Sequence, residues 1–412
     1  MSTTVRQRVR AVSEDASVTP LELFFDLVFV YALTQVTALM AADPTAEGVL
    51  HGMVVLALFW WCWVGYSWLG NTVQADEGLT RGTFFFVMAV MFVASLAIPE
   101  SFDDLSGGLD APVVLAACYA LVRLAHVGLY VLAAEGDSGL ARQLAMFAPV
   151  MLVSISLVLA GALAGGSWQV GLWIAALAVD YGGTQAIGAS GWRLRSAGHF
   201  SERHGLIVIV ALGESIVAIG VGVTGLPIST PIVIASTLGI ALAAALWWAY
   251  FDVVARVGEH VLANARGERR ARLARDSYSY LHLPMVAGIV IAALGLKKVL
   301  GYVGGEEGHD WAYVMHGVPV YALHGGVALY LLAHVCFRLR NVGTLNRQRL
   351  VAAVLLLALI PAGERVGALM DLLLVTGITA ALISYEALRH GDIRDRVRHH
   401  LEEEHGEAPR LS

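Results

Sequence analysis

Two carboxylates near the start of the chain are the first residues that could do chemistry. Glu22 and Asp26 stand in Thr19-Pro-Leu-Glu-Leu-Phe-Phe-Asp-Leu-Val-Phe-Val-Tyr-Ala-Leu-Thr-Gln35, an apolar run that continues to about Ala42. Four residues apart, they share one face of a helix. Two like charges at membrane depth call for a shared proton or a bound cation, and ionised groups there ordinarily face a partner or a wet cavity. The bland alternative for Glu22 is that it opens the helix behind Pro20, where an acid is favourable. Thr37 returns to nearly the face of Asp26, with Leu33 interrupting the stripe.

Glu214 is a further acid in an apolar setting, Leu212-Gly-Glu-Ser-Ile216. Gly213 lets another helix or a ligand approach, and a carboxylate there needs a cation or a proton. His204 and Ser215 fall on one stripe of that helix, while Glu214 is turned about 100° away, so His204 and Glu214 are not a local pair. Arg123 reads as the only arginine deep inside a span, with His126 and Tyr130 on its face. Its expected partner is Asp26, Asp180 or Glu214, which makes it either a structural bridge or an anion clamp. Asp180 is followed by Gly182 and Gly183, which allow a bend or a close contact. His282 precedes Pro284, which frees a backbone carbonyl one turn earlier. His316 and His324 are placed on one later span. A lone histidine is ordinarily a packing residue, but several in one bundle suit proton handling near neutral pH.

The elements that carry these groups follow from composition. The chain is 57% hydrophobic and 15% charged, against about 25% charged in soluble domains. This is an all-α integral membrane protein, and the lipid bilayer is its first partner. A net charge of -6 argues against nucleic acid as a partner. Cys62, Cys118 and Cys336 are far apart in apolar segments and read as small core residues, without a disulfide framework or zinc spacing. No P-loop, dinucleotide fingerprint or His-Glu-x-x-His occurs, so no cofactor and no metal are expected and any transport is secondary or passive. The aromatic runs Phe59-Trp-Trp-Cys-Trp63 and Phe84-Phe-Phe86 are read as packing or interface anchors.

Apolar runs predict about twelve transmembrane helices, at 19–42, 48–70, 80–99, 111–134, 143–164, 168–189, 203–224, 231–256, 277–300, 312–338, 347–362 and 366–388. Basic residues gather on one side: Arg193, Arg195 and Arg203 after the sixth span, Arg256 to Arg275 after the eighth, and Arg338 to Arg349 after the tenth. That bias predicts cytoplasmic N- and C-termini. The organisation expected is a polar tail over 1–18, a six-helix half over 19–189, a linker over 190–202, a second half over 203–388 and a charged tail over 389–412. The tail's His399-His400-Leu-Glu-Glu-Glu-His405 reads as a solvated face rather than a metal tract.

The halves echo one another. Val30-Tyr-Ala-Leu-Thr-Gln-Val36 resembles Ile209-Val-Ala-Leu-Gly-Glu-Ser215, and Phe59-Trp60-Trp61 resembles Leu246-Trp247-Trp248. Six helices are an even number, so two parallel six-helix repeats are expected, with a site or pore at their interface.

Glu22-Leu-Phe-Phe-Asp-Leu-Val-Phe-Val30 resembles the opening motif of the bacterial low temperature requirement protein A (LtrA) family. Glu202-Arg-His-Gly-Leu-Ile-Val-Ile-Val-Ala-Leu-Gly-Glu-Ser-Ile216 resembles its central motif. The resemblance covers nearly the whole chain and implies a multi-pass protein of the bacterial inner membrane, without supplying an activity. The residues themselves favour a secondary transporter or ion pathway for a proton, cation or small solute. Asp26 and Glu214 would carry the charge, with Arg123 as counter-charge. The alternatives are an intramembrane enzyme acting on a lipid or isoprenoid, and a non-catalytic scaffold or sensor in which the buried charges simply pair.

Overall fold

A computed structural model describes residues 12–14, 16–305 and 311–389. Arg6, Arg8 and Arg10, and the histidine-bearing tract after Arg389, lie outside the described residues. Helices occupy nearly all of the rest: α1 Pro20–Ala42, α2 Ala46–Gly70, α3 Gly78–Leu96, α4 Ala111–Ala133, α5 Ser138–Ala164, α6 Gly166–Ile187, α7 Ala197–Gly222 and α8 Thr230–Phe251. They continue as α9 Val254–Asn264, α10 Gly267–Leu273, a π-helical stretch Ala274–Tyr280, α11 His282–Val303, α12 Val318–Val342, α13 Arg347–Ala358, α14 Ile360–Gly363 and α15 Ala368–Arg389.

Local chemistry sets the starts. Thr19, Thr45, Asp110, Asp137, Ser196 and Ser229 each accept a backbone N–H of the first turn of α1, α2, α4, α5, α7 and α8. Gly165 and Gly166, with φ of 66° and 54°, make the tight turn that lays α6 back along α5.

Ten helical segments are long and apolar enough to cross a membrane. The sixth and eleventh expected spans are present as α6 and as α13 with α14, but they fall outside those ten. Several boundaries move, most of all between the eighth and ninth spans. The eighth span ends at Phe251 and resumes as α9, and the ninth begins at Gly267, passing through the π-helical stretch. His316 is exposed ahead of α12 rather than within it, and Cys336 faces outward rather than into the core.

Burial separates centre from periphery. Of the apolar windows in Gly267–Val303 and Val318–Val342, 72% lies inside, against 39% for Gly78–Leu96. α11 therefore sits centrally, packed on α12, α7 and α1. Its crossing with α12 brings backbone against backbone. A Cβ on Gly326 would stand 2.4 Å from Ala292 N, and one on Gly295 would stand 2.6 Å from Leu323 N. Small residues permit this approach. On the rim, Leu23, Phe24, Leu27, Phe85, Phe86 and Phe92 point outward, as lipid-facing side chains do where the solvent is hydrocarbon.

Candidate functional site

α1 and α7 lie side by side in the same direction, and three links record their register: Glu22 to His199, Asp26 to Arg203, and Thr34 to Glu214. The first two form one buried cluster. Glu22 completes a capping box, its Oε2 accepting Thr19 N–H at 3.0 Å while Thr19 Oγ1 accepts Glu22 N–H. The same carboxylate lies 2.9 Å from Arg203 Nη1 and 3.0 Å from His199 Nε2. Asp26 Oδ1 accepts Arg203 Nη2 at 2.7 Å and Trp63 Nε1 at 2.9 Å.

Arg203 is thus the cation that the two acids required. Sequence reasoning placed it in a cytoplasmic loop and took Arg123 as the lone deep arginine. Arg203 is instead 0% exposed, because α7 starts six residues before the span expected at 203. A signal was available: His199 and Arg203 are spaced by four, as are Glu22 and Asp26, so a basic doublet faces an acidic doublet. The bulk around them is also fixed. A Cβ on Gly70 would stand 2.4 Å from Glu22 Oε1.

Glu214 is arranged differently. It is 1% exposed, and its Oε2 is 2.6 Å from Thr34 Oγ1. Among the described residues no basic side chain forms an ion pair with it. Lys297 and Lys298 line a cleft of about 290 Å³ between the ends of α1, α7 and α11, whose lining includes Ala38 and Gly222. Thr34 stands one turn before Ala38 on α1. Ser215, next to Glu214, is buried with its hydroxyl unpartnered.

Arg123 takes Asp180, one of the three acids expected, at 2.7 Å. Asp180 also accepts Tyr119 Oη at 2.8 Å and Ser154 Oγ at 2.6 Å, which joins α4, α5 and α6. Gly183 supplies the close contact expected, since a Cβ there would meet Val150 at 2.5 Å. His126 donates from Nε2 to the Gly65 carbonyl at 2.9 Å.

The remaining histidines sort by their hydrogen bonds. His204 donates Nδ1–H to the Phe200 carbonyl at 2.8 Å and is ringed by Trp63, Phe200, Tyr278 and His282. Its Nε2 is buried without a partner. His282 donates to the Ser277 carbonyl at 3.0 Å and accepts Tyr250 Oη at 2.8 Å. His324 has a different character. Its Nδ1 donates to the Leu356 carbonyl at 2.9 Å, and its Nε2 is 2.7 Å from Asp371 Oδ1. A carbonyl can only accept, so Nδ1 carries a hydrogen, and the second contact needs a proton of its own on Nε2 or on the carboxyl. His324 and Asp371 are both fully buried, so this pair holds a proton between α12 and α15. Sequence reasoning passed over Asp371, whose place two turns past Gly363 looks like an ordinary span end.

The model of the bacterial low temperature requirement A protein (LtrA) family matches residues 17–384. An uncharacterized protein of Rhizobium meliloti (strain 1021), RA0937, is 28% identical over 318 residues, covering 74% of this chain and 75% of that relative. No solved structure gives a significant match.

Proposed function

The chain belongs to the bacterial low temperature requirement A family, and on that premise we propose that it is a secondary transporter or ion pathway of the bacterial inner membrane, with both termini cytoplasmic. Glu214 carries the proton or cation. One observation carries this reading: Glu214 is buried in mid-helix with a hydroxyl as its partner, whereas Glu22, Asp26 and Asp180 are each held by a guanidinium. A carboxylate at that depth without an ion pair is stable only when it takes up a proton or a cation. In this reading the solute approaches from the cleft lined by Ala38, one turn along α1 from Thr34. Asp26, read from sequence as a second carrier, becomes in this scheme part of the fixed seam between α1 and α7. Two parallel six-helix repeats fit the same-direction packing of those helices, and the Thr34–Glu214 contact joins positions that the internal repeat brings into near-equivalence.

The test is flux in proteoliposomes, followed with a trapped pH indicator and a panel of ions and solutes. Glu214→Gln keeps an acceptor for Thr34 but cannot carry a proton, and it is expected to abolish proton-linked movement. Asp26→Asn is expected to retain it. A wild type that moves nothing, or a Glu214→Gln variant with normal flux, refutes the reading.

A second reading, a non-catalytic scaffold or sensor, is favoured by the pairing of the other membrane acids. Glu22, Asp26, Asp180 and Glu386 all meet arginine. It predicts no flux for any solute, and a Glu214→Gln variant with wild-type stability.

A further inference from the structure

A second cavity lies where four of the first six helices meet the π-helical stretch that follows α10. Its walls come from α2, α4, α5 and α6, from the segment that follows α6, and from Ala271, Arg275 and Ser279. Its volume is about 60 Å³, several times the space that one water needs. π-Helical turns are rare and gather at functional sites. This one delivers Arg275 and Ser279 to the wall, and Trp68 Nε1 fixes it by donating to Ser279 Oγ at 2.9 Å.

The polar groups around this space are only partly used. Arg123 spends Nη2 on Asp180, but its Nε has no partner. Arg275 spends Nε on Asp276 at 2.8 Å, but its Nη1 has none. Thr184 Oγ1 is likewise buried and unpartnered. Both arginines are more than nine-tenths buried, at 3% and 7% exposure. Buried donors left without acceptors cost stability, and such a set marks a place for something that accepts. Among the described residues no carboxylate lines the space, whereas two guanidiniums do. The rest of the wall is aromatic and aliphatic, with Trp61, Tyr66 and Trp192 prominent.

We propose that this cavity binds a small amphiphilic carboxylate, its anionic head drawn to Arg123 and Arg275 and its apolar body seated against Trp61, Tyr66 and Trp192. The guanidinium donors match a carboxylate in planar, charge-assisted geometry. The aromatic walls select an aryl or short alkyl body over a polar one. The assignment is independent of whether Glu214 moves protons.

The test is equilibrium binding to the purified full chain in a maltoside detergent, read by titration calorimetry and by tryptophan emission. The probes are benzoate, hexanoate, phenyl phosphate, benzyl alcohol and benzylamine. Benzoate or hexanoate is expected to saturate, with benzyl alcohol and benzylamine at least tenfold weaker. Arg275→Gln is expected to weaken the anion about tenfold or more, the worth of a charged hydrogen bond. Folding should survive that change, because Asp276 keeps Arg340 at 2.9 Å. Thr184→Val, of equal size, is expected to weaken binding severalfold and serves as the second variant. The proposal is overturned by no saturable carboxylate binding, by alcohol or amine binding as tightly, by phenyl phosphate binding more tightly than benzoate, or by both variants binding like wild type. No flux is measured, so a failure here and a failure of the transport reading are separate results.

Discussion

Removing Arg203 tests the buried cluster most directly. In Arg203→Met, Glu22 and Asp26 lose the guanidinium that stands 2.9 and 2.7 Å from them. Stripping one partner from a buried ion pair costs about 3–5 kcal/mol, because the remaining charge stays out of water. A loss of that size lowers the apparent melting temperature of a 412-residue chain by roughly 3–6 °C. The converse change, Asp26→Asn, should cost only about 1 kcal/mol. Its amide oxygen can still accept from Trp63 and Arg203, and its amide nitrogen takes the place of Asp26 Oδ2, which has no partner. Glu22 then balances Arg203 one to one. Combining the two changes should recover part of the loss, since a single carboxylate remains and His199 lies 3.0 Å from it. A coupling of about 1–3 kcal/mol between the two sites is expected. The assay is thermal unfolding of each purified variant in one detergent, followed by circular dichroism. An Arg203→Met protein within about 1 kcal/mol of wild type refutes the account of the cluster. A double variant less stable than Arg203→Met refutes it equally.

Other changes probe other parts. Gly363→Ala would place a Cβ 2.6 Å from Asp371 Oδ1 and 2.9 Å from Val320 Cγ1, so a loss of about 1–3 kcal/mol is expected in unfolding. Gly377→Ala, where nothing lies within 4 Å, should be neutral or stabilising. Asp371→Leu leaves His324 Nε2 without a partner and is expected to cost about 1–3 kcal/mol, whereas Asp371→Asn, able to donate to that nitrogen, should cost less than half as much. Gly326→Leu drives a side chain into the backbone of Ala292 and should prevent recovery of folded protein on size-exclusion chromatography.

Much of the architecture was legible because lipid imposes one solvent on every span. Apolar length alone located the ends of α1 to α8 to within six residues, and Asp26 stood out because nothing around it was polar. Arg203 was missed for a physical reason. Basic residues cluster where spans end, so an arginine beside Glu202 and His204 looks like a loop residue, and only packing reveals that α7 has already begun at Ala197. The partner of Arg123 could be narrowed to three acids but not chosen, since the choice depends on how α4 leans on α6. Arg275 was counted with the loop arginines because a π-helical turn has no sequence pattern of its own; its extra residue per turn shows only in the backbone. Asp371 was invisible for the opposite reason: a single acid near a span end is ordinary until a histidine from another helix meets it.

The contact between α11 and α12 has a mechanical consequence. Gly288, Gly295 and Gly326 let two main chains touch with no side chains between them. A contact of that kind has no compliant layer, so neither helix can slide or roll without collision. The two therefore behave as a single stave. In the proposed transport reading, rocking is taken up where α1 and α7 meet across hydroxyls and charged side chains, which can exchange partners as they move.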